Sequence, residues 1–187
     1  TFNVAKDSQA AVNALEAGEV DITGKLSSDI VPQYEGDERL VTWSDPSLYW
    51  IKFNEDNEYL ANENIRRALA TSFNKEDLVN EVLANGSTAA NYAVPADFVK
   101  DADGNDFRDA NGDMLTYDVK SAKKYWETGL KELGVDSIDL SILTDDTESA
   151  KKLYQYVQNQ WETNLEGLSV SVESVPFSVR LERQTSQ

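Results

Sequence analysis

The chain has 187 residues, 40% of them hydrophobic and 10% aromatic, enough to specify a buried core and too regular for a collagenous, coiled-coil or disordered segment. Its 17 Lys and Arg face 34 Asp and Glu, and the net charge of -17 repels phosphate backbones and anionic membrane surfaces. Nucleic acid is therefore not an expected partner.

There is no Cys and no His, which removes disulfides, Cys/His zinc sites and the usual Ser/His or Cys/His nucleophile pairs. No apolar run approaches the roughly 18 residues that span a bilayer, and no basic and apolar leader opens the chain. The chain begins at Thr1 rather than at Met and ends in an amphipathic stretch, so we expect it to be cut from something longer.

Ser8, Ala11, Val12 and Leu15 followed by Gly18 predict a short capped helix, and Val20 to Thr23 a brief strand. A second short helix is expected from Ser28 to Tyr34, limited by Pro32. Arg39 to Trp43 and Leu48 to Asn54 are rich in β-formers and predict two strands joined by a Ser44-Asp45-Pro46 turn. From Asn64 the period becomes helical through Ile65, Ala68, Leu69 and Phe73. Asn74 is placed to cap a further helix bearing Leu78, Val79, Val82 and Leu83, closed by Asn85-Gly86. Residues 95–116 read as a long polar loop.

The last third is the most regular. Asp118 caps a helix to Leu133 stopped by Gly134, Ile138 to Leu143 is a strand, Thr147 to Leu165 a long amphipathic helix, and Leu168 to Val175 an alternating strand. Strand, helix, strand over this length predicts a βαβ unit with parallel neighbouring strands.

Motifs for chemistry are sparse. Five residues rather than four separate Gly18 from Gly24, and Leu26 stands where a phosphate loop needs Ser or Thr. Asp101, Asp103 and Asn105 have the alternation of a calcium loop, yet Asp106 occupies its glycine position and Gly112 its bidentate glutamate, leaving calcium at 101–113 open. Carboxylate pairs are unavoidable among so many acids and carry no information. No cofactor, catalytic residue or metal ligand is assigned. Of the aromatics, Trp126, Tyr154 and Trp161 are read as core, while Tyr49, Trp50 and Phe177 lie near strand ends and are free to serve a ligand cleft.

An ordered series of segments resembles the oligopeptide-binding proteins of ABC importers, extracellular solute-binding proteins of the peptide/nickel-type family 5. The series runs from Ala14-Leu15-Glu16-Ala17-Gly18-Glu19-Val20-Asp21-Ile22 through Tyr49-Trp50-Ile51-Lys52-Phe53-Asn54 to Asn64-Ile65-Arg66-Arg67-Ala68-Leu69. Phe73-Asn74-Lys75-Glu76-Asp77-Leu78-Val79 continues it, with Asn74-Lys75 replacing the family's usual Asp-Arg. Val94-Pro95, Tyr117-Asp118, Ala122-Lys123, Leu133-Gly134 and Ser174 to Leu181 complete it. The long acidic loop and Trp126-Glu127-Thr128-Gly129-Leu130 are similar to the Gram-positive surface branch.

The resemblance implies an α/β fold, a mixed sheet with flanking helices forming one lobe of a type II periplasmic-binding-protein-like fold. Residues 1–45 would end the first lobe and its hinge segment, and 46–187 would be a partial second lobe. It implies a monomeric binder, not an enzyme, that captures oligopeptides and delivers them to an ABC permease. Such a protein is a Gram-positive cell-surface lipoprotein or periplasmic, touching the membrane only through a lipid anchor outside these residues. The family's aspartate that holds a peptide's amino terminus would follow Gln187, so half a cleft with weak or no peptide binding is expected here.

Ligands of parallel α/β sheets sit beyond the carboxyl ends of the strands, which places the cleft edge at Thr144, Asp145 and Asp146, with amides of the next helix available to a carboxylate. By resemblance, Phe177 lines a pocket and Tyr49 or Trp50 touches ligand near the hinge. Two rival readings stand beside this one: a signalling-peptide (pheromone) receptor of the same fold, and a carboxylate-dependent hydrolase fragment.

Overall fold

The computed structural model describes residues 1–43, 45 and 47–185. The βαβ unit forms as the periodicity predicts. Strand β1 (Ile138–Asp145) pairs in parallel with β2 (Leu168–Val175), in a register that sets Ile138 beside Leu168 and Asp145 beside Val175. Between them runs the long helix, here α6 (Glu148–Asn164), capped by Thr147. Gly167 turns the chain from α6 into β2 at φ +83°, and a Cβ there would stand 2.6 Å from the Asp136 carbonyl oxygen, so only glycine fits.

The preceding helices are numbered in chain order: α1 (Ser8–Glu16), α2 (Glu63–Thr71), α3 (Lys75–Asp77), α4 (Phe107–Asn111) and α5 (Val119–Leu133), with α7 (Phe177–Thr185) after β2. Side-chain caps set their starts. Asn62 accepts from the amides of Asn64 and Ile65, and Asn74 from those of Glu76 and Asp77. Asp118 accepts from the Ser121 amide, while its own amide donates to the Thr71 carbonyl and ties α5 to the end of α2. Helix α1 is capped by Asp7 rather than Ser8, whose hydroxyl instead accepts from the Ser27 amide.

Helix α3 runs on into a π-helical turn (Leu78–Leu83) that ends at Ala84 in the left-handed region. The polar loop holds the short α4 and a single antiparallel bridge between Lys100 and Asp106.

Ile65, Ala68 and Leu69 of α2, Ala122 and Trp126 of α5, Val157 and Trp161 of α6, and Ile138, Ile142, Leu168 and Val170 of the strands form one buried cluster. The buried indoles are satisfied: Trp126 donates to the Glu166 carbonyl at 2.7 Å and Trp161 to that of Leu69 at 2.8 Å. Helix α6 also closes the outer edge of β2. Gln158 donates to the Val170 carbonyl at 2.6 Å, and Glu162 accepts from the Val170 amide at 2.8 Å.

Three expected strands are corrected. Residues 20–23, 39–43 and 48–54 are not strands, and the only sheet among the described residues is the parallel pair β1-β2. β-propensity reports fit to a pleated, half-buried surface, and here Ile22, Val41, Trp43, Tyr49 and Trp50 are exposed with no ladder partner. Ile51 and Phe53 nevertheless pack on the core while Lys52 and Asn54 face outward, so that segment keeps a strand's alternation without a strand's hydrogen bonds. The turn expected at Ser44-Asp45-Pro46 includes residues outside those described. The helix expected over 28–34 shrinks to a 3-10 turn (Val31–Tyr34) with Pro32 in its first turn.

Candidate functional site

The carboxyl end of β1, the start of α6 and the first turn of α7 meet at one edge. Helix α7 packs on β1, and the Ser174 hydroxyl, next to the end of β2, donates to the Asp145 carbonyl at 3.0 Å. Here the sequence-predicted residues take different positions. Thr144 is 2% exposed and lies within the packed layer. Asp145 is half-buried, and its carboxylate accepts from the Thr147 amide at 3.2 Å and from the Thr147 hydroxyl at 2.6 Å. Asp146 is exposed.

The start of α6 is occupied by its own cap, because the Thr147 hydroxyl oxygen accepts from the Ala150 amide. Phe177, 56% exposed, opens α7, and the Arg180 guanidinium lies over its ring at 5.0 Å from the centroid.

Tyr154 of α6 ties these groups together. Burial pushes its phenol up from the ordinary value; the Arg180 charge pulls it down, and the charges of Asp145 and Tyr49 push it further up. Tyr49, Asp145 and Arg180 therefore lie within electrostatic reach of this half-buried side chain. Tyr49 is 88% exposed and Trp50 is 71% exposed.

Tyr154, expected in the core, packs partly buried against it. Sequence reasoning missed Arg180, although its place three residues after Phe177 on a helix is the spacing at which side chains meet.

The carboxylates with displaced ionisation all move down. Asp118 is held by Ser121, Glu132 by Asn62 and Asn64, Glu173 by Arg183, and Asp101 by Asn105. That is the opposite of the raised pKa a proton-donating acid requires. At the acidic loop, the Asp101 carboxylate accepts from the amides of Asp103 and Asn105 and from the Asn105 side chain, all at 2.9 Å. It is spent on its own turn, and no group of three or more acids among the described residues is arranged to hold a metal ion.

The chain matches, over residues 1–187, the family described as "Bacterial extracellular solute-binding proteins, family 5 Middle". It belongs to that family. It is 33% identical over 182 residues to the oligopeptide-binding protein OppA of Bacillus subtilis, covering 92% of this chain and 32% of the relative. Among solved structures, Listeria monocytogenes OppA bound to peptide is 40% identical at TM-score 0.89, covering 97% of this chain and 36% of that one. An oligopeptide ABC transporter substrate-binding domain from Bacillus anthracis is 32% identical at TM-score 0.90, covering 98% and 36%. The chain thus spans about a third of the length of these relatives, and the α/β fold expected from the sequence is that of their corresponding part.

Proposed function

We propose that these residues are part of an exported solute-binding protein that captures oligopeptides and hands them to an ABC permease. Residues 1–45 would close the first lobe and its hinge, and 46–187 would supply part of the second lobe. The protein would act as a monomer held at the cell surface by a lipid anchor, or free in the periplasm. The observation that carries the reading is the edge beyond the parallel strands, where α7 packs on β1 and the exposed Phe177 ring lies against Arg180, in a member of this family.

Binding needs no acid, base or metal. A peptide main chain is held by fixed hydrogen-bonding groups, and its side chains by hydrated pockets, once the second lobe closes on the first by a hinge motion. An exposed aromatic at the edge contributes planar apolar area at low cost in side-chain entropy.

Calorimetry of the full-length protein against a mixed oligopeptide library tests the proposal. Saturable heat is the expected result, and no heat with any peptide would overturn it. Phe177→Ala in the full-length protein should weaken binding by about tenfold, the loss typical of an interface aromatic.

A further inference from the structure

The sequence contains two Asn-Gly steps, Asn85-Gly86 and Asn111-Gly112, and the fold sets them in opposite chemical situations. At such a step the backbone nitrogen of the glycine can attack the side-chain carbonyl carbon of the asparagine, because glycine has no Cβ to block the approach. What holds the two reacting groups decides whether it does.

Asn111 is held at each of them. It ends α4, where its Nδ2 donates to the Phe107 carbonyl at 2.7 Å and its own backbone carbonyl accepts from the Tyr92 hydroxyl at 2.9 Å. The Gly112 nitrogen, which would be the nucleophile, donates to the Arg108 carbonyl at 3.0 Å. Attack there requires these bonds to break first.

Asn85 is set the other way. It follows Ala84, the left-handed residue on which the π-helical turn ends, and Asn85, Gly86 and Ser87 are all exposed. The Ser87 amide donates to Asn85 Oδ1 at 3.1 Å. That oxygen gains negative charge when Cγ becomes tetrahedral, so a donor already aimed at it favours the attack.

We propose that Asn85 is a site of spontaneous covalent modification, where asparagine ages to aspartate and isoaspartate, and that the fold protects Asn111 from the same reaction. The Gly86 nitrogen bonds to Asn85 Cγ and gives up its proton, the Cγ–Nδ2 bond breaks, and ammonia leaves behind a five-membered imide. Water then opens the imide at either carbonyl. One product is aspartate, which keeps the acceptor for the Ser87 amide and adds a negative charge. The other is isoaspartate, in which the main chain runs through the former side chain and is longer by a methylene. This second product displaces the turn that closes the π-helical segment, whose Leu78 and Val79 are buried in the fold. The modification is independent of the ligand that the full-length protein binds.

The test incubates the full-length protein for weeks at neutral pH, native and in guanidinium chloride, where only local sequence distinguishes the two sites. Trypsin separates them into the peptides Glu76 to Lys100 and Asp109 to Lys120, tandem mass spectrometry locates each conversion, and isoaspartyl methyltransferase labelling identifies isoaspartate. The ratio of conversion at Asn85 to that at Asn111 should be about tenfold larger in the native protein than in the denatured one, the effect on rate of breaking one or two hydrogen bonds. A native ratio no larger than the denatured one overturns the proposal, as does an unconverted Asn85 in the native protein. Asn85→Gln closes the ring far more slowly and should remove conversion from the first peptide while leaving Asn111 as it was. Conversion that persists in that peptide belongs to Asn80 or Asn91 and overturns the assignment. Amide exchange over residues 78–84 should be faster in the isoaspartate fraction and unchanged in Asn85→Asp, and equal exchange in the two would overturn the effect on the turn.

Discussion

The indole Nε1 of Trp161 donates to the Leu69 carbonyl oxygen at 2.8 Å, joining the long crossover helix of the βαβ unit to the end of a helix 92 residues earlier in the chain. That carbonyl belongs to the last turn of α2, where no later amide of the helix reaches it, and its other donor is the Ser72 hydroxyl at 3.3 Å. The Phe73 ring meets the indole edge-on at 6.3 Å between centroids. Trp161→Phe keeps most of the ring volume and removes the donor. It should cost about 1–3 kcal/mol of stability, the desolvation cost of a buried acceptor that loses its main partner. The denaturant midpoint should fall at unchanged slope, and an unchanged midpoint would refute the assignment.

Helices α2 and α5 meet at Gly129, where an added Cβ would lie 2.5 Å from Ile65 Cδ1 and 3.2 Å from the Ile65 amide nitrogen. Alanine gains about 1 kcal/mol of helix propensity over glycine, but overpacking costs about 1–3 kcal/mol and the backbone contact limits relief. Gly129→Ala should therefore be net destabilising. Ile65→Val removes the clashing Cδ1, so in a double-mutant cycle it should cost less in the Gly129→Ala background than in the wild type. Additive effects would show that the helices simply move apart.

Asp118 supports α5 twice: Oδ1 accepts from the Ser121 amide at 3.1 Å and Oδ2 from the Ser121 hydroxyl at 2.6 Å. Asp118→Ala should cost about 1 kcal/mol and Asp118→Asn much less, because asparagine is an equally good cap. Amide exchange in the first turn of α5 should rise in the alanine variant alone.

Asp37 should titrate abnormally. Its carboxylate accepts from the Arg39 guanidinium and from the Arg39 amide, which lower its pKa from the ordinary 3.8 to about 2. Because the folded value lies below the unfolded one, the stabilisation is complete above the unfolded value and is lost as pH falls from there through the folded one. Carboxyl chemical shifts followed down in pH should give a midpoint near 2 in the wild type and one closer to 3.8 in Arg39→Gln. Equal midpoints would exclude Arg39 as the cause.

Lys75 holds the polar loop to α2, since its ammonium donates to the carbonyls of Ala70 at 3.0 Å and Leu115 at 2.9 Å. Lys75→Met keeps the apolar stem and removes both bonds. Faster amide exchange around residues 113–116 is the expected outcome, and unchanged exchange would show that the loop is held by other contacts.

Local patterns in the sequence were sufficient for the elements that carry their own signals. Asp118 and Gly134 bracket α5, Thr147 caps α6, and the alternation of 168–175 marks a strand whose partner follows from the crossover rule. The family likeness was legible too, because it lies in an ordered series of short segments rather than in any one of them. The β-rich stretches at 39–43 and 48–54 misled because strand formation needs a neighbouring ladder, and composition does not say whether one lies within reach. The partners of Asp145 and Arg180 were hidden for a related reason. Only the folded chain turns the Asp145 carboxylate onto Thr147, lays Arg180 over the Phe177 ring, and leaves the Arg180 Nε buried without an acceptor among the described residues. A hydrogen bond is a distance between groups far apart in sequence, and periodicity and caps report only on residues a few positions away.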